Sequence, residues 1–203
     1  MKIDLAGQPA IVVGPAGILR SAAAAALAGN GAKVAEAEMG GALAAVGRTP
    51  PCVLVHVTAG AGIGPVEPPP ALPDLDAFAG LVRAVMPSAK RIVSIVSVAG
   101  VVPVRRAPVF SAAEAALVSL TRSLAMEAGG NGTAVNAIAV GALAGEGVTA
   151  GEALLTHAAV KRPARLDEVM AALLFLADPA NTYTTGHVLN VDGGWSAGYA
   201  RNF

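Results

Sequence analysis

Short apolar runs alternate with stretches of helical spacing along nearly the whole chain, and this alternation narrows the possible folds more than any other feature. Residues 9–13, 33–37, 53–57, 91–96, 133–139 and 187–191 are compact runs rich in Val, Ile, Leu and Ala. They read as strands buried on both faces, the pattern of a parallel sheet. Helical spacing fills residues 17–28, 75–86, 107–128 and 167–177. In the second of these Leu75, Phe78, Ala79, Val82 and Val85 share one face. Gly29-Asn30-Gly31 closes the first helix, and Asp167 and Glu168 favour the start of the last. Strand–helix alternation predicts an α/β chain with a single doubly wound parallel sheet, one domain over residues 1–203. The prolines of residues 64–73 place a loop there.

Composition limits the function classes. The formal net charge is zero, which argues against a nucleic-acid footprint. Charged residues make up only 14% of the chain and apolar ones 54%, so part of the surface is expected to lie under partner chains. Cys52 stands alone, which excludes an internal disulfide, and it reads as a small core residue. The first residues do not form a secretory leader, and no long apolar run reads as a membrane span. A cytoplasmic protein is expected, with no metal site.

In an open parallel sheet, ligands bind beyond the carboxyl ends of the strands. The first strand runs into Val13-Gly14-Pro15-Ala16-Gly17-Ile18-Leu19. Glycines there suit either a plain strand-to-helix turn or a turn that admits a phosphate. Further on come Arg-Ile-Val-Ser-Ile-Val-Ser (91–97), a helix opening Phe-Ser-Ala-Ala-Glu (110–114), Val-Asn-Ala-Ile-Ala-Val-Gly (135–141) and Gly-His-Val-Leu-Asn-Val-Asp-Gly-Gly-Trp (186–195). With these segments the chain resembles the short-chain dehydrogenase/reductase family over nearly its whole length. The resemblance implies a Rossmann-like fold.

The resemblance also says which positions would carry the family's chemistry. That chemistry needs a tyrosine hydroxyl as acid or base, a lysine four residues later that lowers its pKa and holds the cofactor ribose, and a serine that orients the substrate carbonyl. The serine position is Ser97, thirteen residues before Phe110, which takes the tyrosine position. The lysine position is Glu114. Phenylalanine has no ionisable proton, and a carboxylate would repel a phenolate or a pyrophosphate. Without a base, Ser97 is an ordinary serine at a strand end. The family's fourth catalytic residue, an asparagine, falls by counting on Asp74.

The cofactor positions are altered in the same way. Aligned on Gly17, the family's three turn glycines fall on Val13, Gly17 and Leu19, although Gly14 can share the turn. The turn beneath adenine and ribose reads Val57-Thr58-Ala59-Gly60. Glu38 stands where an acid selects NAD, or is simply a solvated strand end. The stretch between the second strand and Cys52 is abbreviated. It has room for only part of the helix, strand and helix of a typical member.

The expectation is therefore a degenerate member of the family. It would be a non-catalytic subunit in a hetero-oligomer, a heterotetramer, with an intact short-chain dehydrogenase paralogue. That partner would hold NAD(P) and act on a hydroxyacyl or ketoacyl substrate, while this chain binds no cofactor. Assembly would use the small-residue helix 107–128 and the last helix and strand, and residues 195–203 would either reach a neighbour or pack locally. Two alternatives stay open. One is an atypical reductase using His56, His157, His187 or Tyr183 as its acid. The other is a ligand-sensing or scaffold protein in which Glu114 and Asp74 form a small acidic pocket.

Overall fold

The computed structural model describes residues 2–58, 74–105, 107–144 and 152–198. Six strands form one parallel sheet: β1 (Pro9–Val13), β2 (Lys33–Ala37), β3 (Val53–Val57), β4 (Arg91–Ser97), β5 (Ala134–Val140) and β6 (Val188–Val191). Their order is β2-β1-β3-β4-β5-β6. The chain winds outward from β1 to β2, returns to the other side of β1 and continues to β6. The strand order reverses beside β1, and the sheet is doubly wound as the sequence predicts. The expected loop over 64–73 falls outside the described residues.

Continuous apolar strands need cover on both faces, and the helices supply it for β1, β3, β4 and β5, whereas the edge strands β2 and β6, expected to be buried on both faces, are exposed or half-buried. Helices α1 (Ile18–Ala28) and α6 (Leu166–Ala177) cover one face, where Leu19, Leu27, Val55, Ile95, Ile138 and Leu173 share a core cluster. Helices α2 (Met39–Arg48), α3 (Leu75–Val85) and α4 (Pro108–Ala128) cover the other, with Val46, Leu54, Phe78, Leu81, Leu117 and Leu124. Truncating one of these fully buried leucines costs about 2–5 kcal/mol, because the site cannot collapse around the missing atoms. Among the described residues one helix, Pro108–Asn131 with its last turn, has the length and mean hydropathy of a membrane span. Of its most apolar stretch, 44% is buried inside the fold.

Helix α2 is the element that sequence periodicity does not reveal. Gly40, Gly41 and Gly47 weaken its helical signal, and it buries only Ala42 and Val46. The whole crossover from β2 to β3 is this one helix, so β2 is left as an edge strand. After β5 a short helix, α5 (Glu152–His157), precedes α6, and this too has no clear sequence signal.

Side chains and close backbone approaches pin the strand ends. Buried Asn136 on β5 donates to the Thr184 carbonyl at 2.8 Å and accepts from the His187 N–H at 3.0 Å. Thr185 accepts the Val135 N–H at 3.1 Å. The Asn in the 135–141 segment thus sets where β6 joins the sheet.

Candidate active-site region

Ser97 is the last residue of β4, and its side chain accepts the Ala99 N–H at 3.2 Å to cap a short 3₁₀ turn over Val98–Gly100. That turn lies hard against α4. A Cβ on Gly100 would stand 2.6 Å from the backbone carbon of Glu114, so only glycine lets the turn and the helix approach this closely. Pro108 opens α4, where its missing N–H costs nothing. Phe110 follows in the first turn and is buried, and Glu114 lies one turn further along.

Glu114 is 1% exposed. Its Oε2 accepts the Ser97 backbone N–H at 2.7 Å and the Thr58 hydroxyl at 3.3 Å. Burial pushes its pKa above the usual carboxylate range, and the two hydrogen bonds pull partly the other way. Thr58 follows β3, and its N–H donates to Ile95 on β4. One carboxylate therefore joins α4 to the ends of β3 and β4. Sequence reasoning placed Thr58 only beneath a cofactor. Its pairing with Glu114 spans 56 residues, so no local signal could have shown it.

The other sequence-derived positions lie apart from this cluster. Asp74 caps α3: its carboxylate accepts the Ala77 N–H at 2.9 Å and is exposed. It is committed to its own helix while Glu114 is buried in the core, so the two do not form the expected acidic pocket. Glu38 is exposed where α2 begins. Val13 and Val57 end β1 and β3 within the core. Leu19, in the first turn of α1, also packs into the core. Ala59 and Gly60 lie outside the described residues.

The turn after β1 departs from the aligned pattern. The residue that must be glycine is Gly14, with φ of 148° and no room for a Cβ against the Val57 carbonyl, whereas Val13 is the last residue of the strand. Gly17 opens α1 with nothing near its missing side chain. Arg20, unremarked in the sequence, donates to the Gly14 carbonyl at 2.8 Å and to Glu36 at 3.0 Å. It ties the turn to β2.

These residues do not fit the family's way of holding a nicotinamide cofactor. Where the ribose would meet a cation there is a buried carboxylate already occupied by Ser97 and Thr58, and Arg20 is committed to Glu36 and Gly14. The other acid candidates are no better placed. His56 is buried on β3, stacked on Phe78 with ring centroids 4.3 Å apart, and burial lowers its pKa to about 4. It stays neutral near pH 7. His187 and the fully exposed Tyr183 lie before β6, at the end of the sheet opposite Ser97. His157 is exposed at the end of α5. Among the described residues no three His, Cys, Asp or Glu side chains cluster as a metal site.

Comparison with known proteins fits this architecture. The profile of a family described as Enoyl-(Acyl carrier protein) reductase matches residues 75–196. A 3-oxoacyl-[acyl-carrier-protein] reductase from Synechocystis sp. is 39% identical over 108 residues, 51% of this chain and 43% of that protein. Cis-4-hydroxycyclohexanecarboxylate dehydrogenase from Sinomonas cyclohexanicum is 35% identical over 111 residues, 52% and 45% of the two chains. The chain spans just under half the length of these curated relatives. Among solved structures, a short-chain dehydrogenase from Leptospira borgpetersenii with bound NAD+ superposes with a TM-score of 0.78 at 16% identity, over 95% of this chain and 94% of that one. The structure of gox2181 superposes at 0.79 and 22% identity, over 96% and 98%. At such identities the superpositions establish the fold alone.

Proposed function

This chain belongs to the short-chain dehydrogenase/reductase family, and from that premise we propose that it is a non-catalytic subunit of a heterotetramer with an intact relative. The observation that carries this reading is the hydrogen bonding of Glu114. In place of a cation that activates a tyrosine and grips ribose, α4 presents a buried carboxylate turned to Ser97 and Thr58. Phe110, one turn earlier, has no proton to give. Both catalytic positions on this helix contribute packing and hydrogen bonds to the fold, so acid–base chemistry falls to the partner.

The outward face of α4 supports assembly. Val109 is 64% and Met126 86% exposed, and Ala112, Ala115, Ser119 and Ser123 on the exposed side are small enough for another helix to pack closely. Large apolar side chains left in water on such a surface favour burial against a partner. The partner holds NAD(P) and acts on a hydroxyacyl or ketoacyl substrate, a class in keeping with the name of the Synechocystis relative, a 3-oxoacyl-[acyl-carrier-protein] reductase.

Co-expression with an intact paralogue tests the proposal. The two chains are expected to co-purify in a fixed ratio, and the partner's rate or assembly to depend on this chain. Purification of this chain alone as a stable homo-oligomer, with no effect on the paralogue, would overturn the reading. So would saturable micromolar binding of NADH or NADPH by this chain with hydride transfer.

A further inference from the structure

One row across the sheet carries two polar side chains inside the core. Val13 of β1 is in register with His56 of β3, His56 with Ser94 of β4, and Ser94 with Ala137 of β5. Side chains in register on neighbouring strands point to the same face, here the one covered by α2, α3 and α4. Val13 and Ala137 flank the pair, and Leu54, Ile92 and Val96 lie two residues along the same strands, all in that face's core cluster. Within the row, His56 and Ser94 have only each other as polar neighbours. Ser94 is 0% and His56 4% exposed. The His56 Nδ1 and the Ser94 Oγ are buried and accept or donate no hydrogen bond within the protein. Among the described residues they are the only two side-chain atoms so placed, and the sheet sets them side by side.

The chemistry of the pair limits what it can take. Two stranded polar atoms in an apolar core are costly, and a single bridging group would satisfy both at once. Burial keeps His56 neutral, so the pair offers no positive charge to an anion. One ring nitrogen and one hydroxyl are too few ligands for a metal ion, and the apolar neighbours would leave its charge uncompensated. The guest must therefore be neutral, able both to donate and to accept, and small enough for a close-packed core. Water meets all three conditions, and it serves the imidazole whichever ring nitrogen carries the proton. Stacking on Phe78, with ring centroids 4.3 Å apart and planes 22° from parallel, holds the plane of the imidazole for such a contact.

We propose that His56 Nδ1 and Ser94 Oγ together bind one internal water, which bridges β3 to β4 inside the core. Thr58 follows His56 on β3 and Ser97 follows Ser94 on β4, so the bridge steadies the two strand ends that meet Glu114. The site does not rest on the assembly reading, because the row is buried within one chain. A crystal structure of the purified chain is expected to show a water within about 3.2 Å of both atoms. In solution, a nuclear Overhauser peak between water and the His56 Hε1 is expected, with the sign of a long-lived bound molecule. Ser94→Ala removes one anchor and is expected to abolish that peak, as is Ser94→Val, which also fills the space. Ser94→Thr keeps the hydroxyl and is expected to keep the peak. If Ser94→Val fails to fold, Ser94→Ala decides. His56→Leu and Ser94→Ala each deprive the water of one partner. Their double variant is expected to unfold about fivefold less readily than the two single effects multiplied together predict. Three outcomes overturn the site: no water signal at His56 in the folded parent, an undiminished signal in folded Ser94→Ala, or a direct Ser94–His56 hydrogen bond with no water between them.

Discussion

Glu114 accepts the backbone N–H of Ser97 at 2.7 Å, tying the second turn of α4 to the last residue of β4. The bond joins two positions that would be catalytic partners in an intact family member, and here it goes through the serine's main chain. The serine side chain turns instead to its own 3₁₀ turn. The pair is a structural clasp, and Thr58 extends it to the end of β3.

Removing the clasp separates its hydrogen bonds from its charge. Glu114→Ala leaves two buried donors without a partner and is expected to cost about 3 kcal/mol in urea unfolding. Glu114→Gln keeps a carbonyl acceptor and removes the buried charge, so at pH 7 it should match or exceed the parent. The sign follows from the raised pKa: the favourable contribution of Glu114 is complete below its ordinary value of 4.5 and is lost as pH rises through the folded-state value. The advantage of Gln should therefore grow with pH above about 4.5. A glutamine variant less stable than the parent at neutral pH would show that the ionised carboxylate is needed.

His56 gives the opposite pH signature. Its folded-state pKa of about 4 lies below the ordinary 6.5, because burial against Phe78 disfavours the cation. Between these values the unfolded chain binds a proton that the folded one refuses. Stability is fully present above 6.5 and falls as pH drops toward 4, by on the order of 3 kcal/mol in all. His56→Leu should flatten the slope of stability against pH in this window by up to ~1.4 kcal/mol per pH unit. Parallel slopes for parent and variant would contradict the assignment.

Asp74 is a cap, and its variants should behave as cap variants. Asp74→Ala is expected to lose ~1 kcal/mol of stability, and Asp74→Ser only a few tenths. In an assembly with an active paralogue neither substitution should alter turnover once both proteins are folded. A change in rate without a change in stability would return Asp74 to the site.

The inner strands of the sheet were legible because burial on both faces leaves a plain trace. Runs such as Ile11-Val12-Val13 and Val53-Leu54-Val55 have no polar face to show, and each of the six apolar runs became a strand. Helices with a full apolar stripe, such as α3, were equally clear. Helix α2 was not, because a surface helix that buries two residues and carries three glycines has little pattern to read. The site was legible as positions and not as contacts. The family resemblance grouped Ser97, Phe110 and Glu114, but gave no sign that Thr58 would meet Glu114 or that Arg20 would hold the turn at Gly14.

By itself, then, the sequence determined the parallel sheet, its six strands with four of the helices, and which residues stand on α4 where the family has a tyrosine and a lysine. These follow from apolar periodicity and residue identity, which are local. The tertiary structure alone decided what the replacements do. It brought Glu114 and Thr58 together across 56 residues and sank Leu19 into the core. It also moved the demand for glycine from position 13 to Gly14, beside the Val57 carbonyl. Each of these depends on which strand ends the sheet places side by side, and that is fixed only when both faces are covered and the chain has closed on itself.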